Sequence, residues 1–320
     1  MPPFKKIPWL LAAVLATTAT LAHAQDFPSK PITLVAPFPA GSVTDSVTRA
    51  LGQGLQEVLG QTVVVDNKAG AQGTVGAAYV ARAKPDGYTL LVASSGMFVA
   101  KSLFKTLPYE PVDGFVPVSG VGSTSMMFMV SESSGFKTMA DVNKAAKDGT
   151  LSVGFGSPSG QLALALYSTA ARVNPTPVSY RGIPQALTDL AGGHVKVAIV
   201  DIGSGVAQIS QNRMRAVAIS ARARSAAAPD VPTMEEAFPG GGVSLETIIA
   251  VTAPAGTPKD VVDKLDNAIR AALNKPEVKA RFATLTTSIM PLSSANLAAR
   301  IKADNPQWEA LIKKAGIEQQ

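Results

Sequence analysis

The chain contains no cysteine. That excludes disulfides, thiolate nucleophiles and cysteine-held metals. Histidine is nearly missing as well, with two residues in 320, His23 and His194. His23 lies in a stretch that reads as a removable leader, and His194 follows the Gly192-Gly193 turn. A histidine-pair metal site is then out of reach, and a Ser-His-Asp apparatus would rest on one turn imidazole. Charged residues make up only 16% and aromatics 6%, and the net charge of +6 is spread without any long Lys/Arg run. The dense basic patch of a nucleic-acid binder is therefore absent, and no nucleic-acid partner is expected. No G-x-S-x-G occurs. S-x-x-K occurs at Ser102–Lys105 and Ser134–Lys137, without the S-D-N and K-T-G that accompany it in acylating enzymes. Gly70, Gly73 and Gly76 fall three apart, which is not the dinucleotide spacing. No catalytic residue, metal or cofactor is expected, and an exported hydrolase is the alternative with least support.

Long apolar runs are confined to the beginning. Met1 to Ala24 has Lys5 and Lys6, an apolar stretch over Ile7–Leu21 interrupted by threonines, and Ala22-His23-Ala24 before Gln25. This pattern reads as a secretory signal cleaved after Ala24 rather than a membrane anchor. The expected product is a soluble, cysteine-free periplasmic chain, long enough to fold without disulfides and expected to be a monomer. At this length two α/β lobes fit better than one.

What is present is organised around residues 32–46. Ile32 to Phe38 is apolar apart from Thr33, as in the centre of a covered sheet. Pro37 and Pro39 stop the strand, and Ala40-Gly41 let the backbone turn closely. Ser42 or Thr44 can then cap a helix whose Val47, Leu51, Leu55 and Val58 share one face. A strand running through a tight turn into a helix leaves amides unpaired at the positive end of a helix dipole. Ala40, Gly41, Ser42, Thr44 and Asp45 are therefore candidate binding residues for a carboxylate or phosphate. Asp45 suits capping or holding a water better than touching an anion, and Arg49 reads as structural.

Downstream, strands and helices alternate, so the fold class is α/β with parallel strands flanked by helices. Two β-like runs, Phe115–Gly120 and Ser125–Val130, open the middle of the chain, and Pro306 is expected to kink or split the last helical region. Ligands in open parallel sheets sit beyond the strands' C-terminal ends. Four further polar tips occupy such ends: Ser94-Ser95, Ser157 with Ser159 and Gly160, Tyr180-Arg181-Gly182, and Asp201.

A resemblance gives these tips a common purpose. Phe27–Ile32, Pro37–Gly41 and Thr44-Asp45 resemble the opening of the Bug proteins, also called the TctC family. These are extracytoplasmic receptors of tripartite tricarboxylate transporters. The likeness continues through Val65–Gly76, Pro85–Leu90, Ser179–Gly182, Leu187–Gly193, Pro229–Thr233 and Ala253–Pro258. It implies a two-lobed periplasmic-binding-protein architecture, type II-like, that closes on a small organic carboxylate. It places lobe 1 at 25–125 and 241–320, lobe 2 at 126–240, and the first carboxylate on the Ala40–Asp45 loop. The implied partners are the membrane components of such a transporter, with a sensor kinase as the alternative. Three departures bear on the ligand. Ser42 stands where the family usually has a second glycine, the Gly154–Leu162 loop is short and lacks histidine, and Ile202 follows Asp201. Phe155 and Ile202 suggest a less polar far end, hence an aromatic mono- or dicarboxylate beside the aliphatic di- and tricarboxylates.

Overall fold

The structure is a computed structural model that describes residues 27–211, 214–239, 244–317 and 319. The expected signal and its cleavage site lie outside the described residues. In chain order the elements are β1 (Ile32–Ala36), α1 (Val43–Leu59), β2 (Val63–Asn67), α2 (Thr74–Ala81), β3 (Thr89–Ser94), α3 (Ser95–Phe98) and β4 (Phe115–Ser131). There follow α4 (Met139–Lys147), β5 (Ser152–Phe155), α5 (Pro158–Ala171), β6 (Thr176–Ser179), α6 (Ile183–Ala191), β7 (Val197–Asp201), α7 (Ile202–Ile209), β8 (Met214–Ile219) and α8 (Met234–Ala237). The chain closes with β9 (Glu246–Pro254), α9 (Lys259–Leu273), α10 (Pro276–Thr284), β10 (Ser288–Ile289) and α11 (Ser294–Lys314).

The strand order is β2-β1-β3-β9-β4-β7-β5-β6, with β8 and β10 also on β4. One strand therefore serves two sheets. Residues 115–125 of β4 pair with β9, and 126–131 pair with β7 and β8. The outer pairs are parallel, as the βαβ order requires, while every pair made by β4 or β9 is antiparallel. The two β-like runs read from the sequence are halves of this single 17-residue strand. The glycines between them do not end it, because register shifts at Pro117/Ser119 and Gly120/Gly122 absorb the irregularity as bulges.

Each sheet is covered on both faces. In the first, Leu34, Leu90 and Val251 meet α1 and α9 on one side, through Val47, Leu51, Leu55, Leu265 and Ile269. Val35 and Leu91 face the other side, against Ala77, Val80 and Leu297. The pleat explains the split, since neighbouring strand residues point to opposite faces. On α1, Val58 lies at the flank, 37% exposed, outside the buried stripe. In the second sheet Met126 and Phe128 face Tyr167 and Leu162, whereas Met127 and Met129 face Ala186 and Leu190.

Helix α11 belongs to neither layer alone. Leu297 and Ile301 pack on the first sheet's core, while Ile312, Leu311 and Trp308 pack with Phe128 and Tyr167 of the second. Pro306 sits inside α11 between these groups, and the helix runs through it unbroken. A proline forfeits one helical hydrogen bond, and packing at both ends of α11 offsets that loss.

Candidate functional site

The cavity between the two sheets is lined by residues from nearly every strand tip. Phe38, Pro39, Ser42, Val43 and Thr44 come from the β1–α1 corner, Ser94 from β3, Thr124 and Met126 from β4, and Thr247 and Ile249 from β9. Ser157, Ser159, Ile183 and Asp201 close it from the other side. Its volume is about 40 Å³, room for roughly three waters. The lobes are in contact around it. Gln72 Nε2 donates to Ser179 Oγ at 2.9 Å, and a Cβ on Gly96 would fall 2.7 Å from the Ser159 nitrogen.

The β1–α1 corner is held by Asp45, whose carboxylate points back into its own loop. It accepts from the Gly41 amide (2.9 Å), Asn67 Nδ2 (2.9 Å) and Arg49 Nε (3.2 Å). Arg49 also bonds Asn67 Oδ1, and Asn67 Nδ2 reaches the Phe38 carbonyl. Burial pushes the Asp45 carboxyl up, but Arg49, the Gly41 amide and Asn67 together hold it below the ordinary range. Gly41 has φ +83°, a left-handed conformation that glycine takes without strain. Ser42 caps α1 by accepting from the Asp45 amide. The Val43 and Thr44 amides open the helix with no acceptor among the described residues.

The opposite wall is built from three more helix starts. Ser157 caps α5 through the Gly160 amide (3.1 Å). Gly182 precedes α6, and a Cβ on it would press on Pro39 at 2.9 Å. Asp201 caps α7, accepting from the Ser204 amide at 2.8 Å and its hydroxyl at 3.1 Å. Burial raises the Asp201 carboxyl above its ordinary pKa, opposed by the Ser204 bonds. Asp201 is the only ionisable side chain lining the cavity among the described residues.

Four hydroxyls around the cavity are buried without a hydrogen-bond partner, Ser94, Thr124 and Thr247 on one side and Ser159 on the other. Thr124 and Thr247 are direct partners in the β4–β9 register. Each orphan hydroxyl costs about 1–3 kcal/mol of lost solvation, so four around one cavity mark a site that satisfies them from within.

Of the residues singled out from sequence, Ser42, Thr44, Ser94, Ser157, Ser159 and Asp201 meet at this cavity. Gly41 lines the neighbouring inter-lobe crevice, and Ala40 is exposed. Asp45 uses its carboxylate within the loop, as described. The Ser95 hydroxyl ties α3 to β9 by accepting from the Ile248 amide at 2.6 Å. Tyr180 donates to Asp189 at 2.7 Å, away from the cavity, and Arg181 is exposed. Gly160 binds Ser157, and Gly182 sits against Pro39. Phe155 and Ile202 are buried in the cores on the two faces of the second sheet and do not line the cavity. They therefore say nothing about the ligand's far end. Sequence reading missed Thr124 and Thr247, because a threonine in an apolar strand looks like an ordinary strand former. Only the β4–β9 register reveals the pair.

No described helix is long and apolar enough to cross a membrane, and no cluster of metal-ligating side chains occurs among the described residues. Two α/β lobes with a cavity between them, apolar in most of its lining and edged by hydroxyls and one carboxylate, define a solute receptor of the periplasmic-binding-protein class. The chain belongs to the Bug/TctC family: the family model described as "Tripartite tricarboxylate transporter family receptor" matches residues 47–317. Its members are binding receptors, not enzymes. The chain is 33% identical to the periplasmic binding protein BugD, with a TM-score of 0.84 over 92% of this chain and 100% of that one. It is 29% identical to MatC from Rhodopseudomonas palustris, solved with bound malate (TM-score 0.83; 89% and 100% covered). A second R. palustris protein, solved with adipate, is 28% identical (TM-score 0.86; 92% and 100% covered).

Proposed function

We propose that this chain, exported and cleaved after Ala24, captures a small aliphatic dicarboxylate between its lobes. It then delivers the ligand to the membrane components of a tripartite tricarboxylate transporter. The lobes are 25–125 with 241–320, and 126–240. The change of β4 partners between Ser125 and Met126 supports the first boundary, while the second falls at 240–243, outside the described residues. The carrying observation is the meeting of unpaired Val43 and Thr44 amides with four orphan hydroxyls in one inter-lobe cavity. Amides at a helix start replace the water a carboxylate loses, each charge-assisted bond contributing about 1.5–3 kcal/mol. The relatives solved with malate and adipate support the dicarboxylate class. Because the cavity is smaller than such ligands, the lobes part to admit one and close over it with the cavity widened, and the ligand favours that closed form by its greater affinity there. Calorimetry of the mature protein against malate, adipate, succinate, citrate, benzoate and terephthalate tests this. Binding of the aliphatic dicarboxylates at micromolar strength is expected. Heat from the aromatic acids alone would transfer the assignment to that class.

A further inference from the structure

The cavity wall is unevenly equipped for charge. On the lobe 1 side α1 offers two amides without an acceptor, and nothing anionic faces them, because the Asp45 carboxylate is turned into the loop. On the lobe 2 side the difference is the charge already in place, because the cap of α7 is itself a carboxylate. Asp201 occupies that helix start, Pro158 has no N–H to offer at α5, and Ser157 takes the Gly160 amide. The elements sharing the cavity with Asp201 are α1 through Thr44, β3 through Ser94, β4 through Thr124, α5 through Ser159, α6 through Ile183 and β9 through Thr247. None contributes a Lys, Arg or His to the wall. The loop's own cation, Arg49, is paired with Asp45 and Asn67 outside it.

A first carboxylate at α1 is therefore well received. A second one, ionised, would meet a buried carboxylate with no cation to separate them, and two such groups share a proton instead. We propose that the site accepts a single negative charge, so that a dicarboxylate enters as its half-protonated monoanion. The remaining acid proton then lies between the ligand's far carboxyl and Asp201. The proton comes from solvent on binding. This rests on the dicarboxylate reading above and adds to it the ionic form that is captured. The burial that raises the Asp201 carboxyl acts in the same direction.

Isothermal titration of the full mature protein with adipate, in buffers of contrasting ionisation enthalpy, reads the proton directly. About one proton taken up per adipate is expected at neutral pH. Affinity should fall about tenfold per pH unit once both free carboxyls are ionised. Monomethyl adipate, a monoanion throughout, should bind with no such slope. Asp201→Asn keeps a helix cap and supplies a donor in place of the acceptor, so its slope for adipate should flatten. Adipate binding without proton uptake, at constant affinity between about pH 5.5 and 8, overturns the inference while leaving the receptor reading intact. So does tighter binding of 6-aminohexanoate, whose ammonium would pair with Asp201. If neither adipate nor its monoester binds at any pH, the dicarboxylate reading itself falls.

Discussion

Ser220 binds Met126 through both of the latter's backbone polar groups. The Met126 amide donates to Ser220 Oγ at 2.9 Å, and the Met126 carbonyl accepts from the Ser220 amide at 2.8 Å. The same serine holds Leu245, its hydroxyl donating to the Leu245 carbonyl and its carbonyl accepting the Leu245 amide. Met126 is where β4 passes from one sheet to the other, and Leu245 lies just before β9, where the chain rejoins the first sheet. One buried hydroxyl thus fastens the outgoing and returning strands beside the cavity. Ser220→Ala leaves the Met126 amide and the Leu245 carbonyl each short of a partner. A loss of about 1–3 kcal/mol is expected, measured by urea unfolding, together with weaker ligand binding as the crossover loosens.

The orphan hydroxyls of Thr124 and Thr247 separate binding from stability. Replacing either with valine keeps the shape and removes a buried polar group that has no partner. The ligand-free protein should be as stable as before, or more stable by about 1 kcal/mol. Carboxylate affinity should fall at least tenfold, since a charge-assisted bond is worth about 1.5–3 kcal/mol. Equal binding by both variants in calorimetry would remove the strand pair from the site.

The sequence made the β1–α1 corner legible because its signals are local. Two prolines stop a strand, a glycine adopts positive φ, and a serine caps the helix four residues before Ser46. Helix α9 follows from its own amphipathic spacing, Ser42 declares itself as a cap, and Ser157 and Asp201 declare themselves as polar strand ends. The rest depends on register and packing. The bulged passage of β4 hides behind two glycines, and Thr124 meets Thr247 only across a separation of 123 positions in the chain. Tyr180 misleads for the converse reason: its tip position is real, but Asp189 on α6 draws the hydroxyl away.

Asp45 and Asp201 predict opposite pH dependences. Asp45 is held below its unfolded value, so its stabilisation is present above the unfolded pKa and is lost as pH falls through the folded one. Wild type should weaken below about pH 4, and Asp45→Asn should lack that component while being less stable at neutral pH. Asp201 is raised, so its folded form is favoured below the unfolded pKa and penalised as pH rises through the folded value. Asp201→Asn should therefore melt higher than wild type at neutral pH, the gap closing in acid. Urea unfolding across pH 3 to 8 checks both, and a gap for Asp201→Asn that widened in acid would reverse the sign.

Gly203 tests closure without touching either carboxylate. It sits in the first turn of α7, where a Cβ would lie 2.5 Å from the Leu285 carbonyl oxygen and 3.1 Å from Val43 Cγ2, both across the lobe interface. Backbone cannot yield as a side-chain tip does, so Gly203→Ala obstructs the shut arrangement. Within its own lobe the change favours the helix by roughly 1 kcal/mol. The two effects have opposite signs and different readouts. The ligand-free variant should unfold at equal or higher urea, while its affinity drops at least tenfold, because the ligand must now bind lobes that cannot fully meet. Small-angle scattering should show adipate compacting the wild type and leaving Gly203→Ala extended; equal compaction of both would mean that this contact does not gate closure.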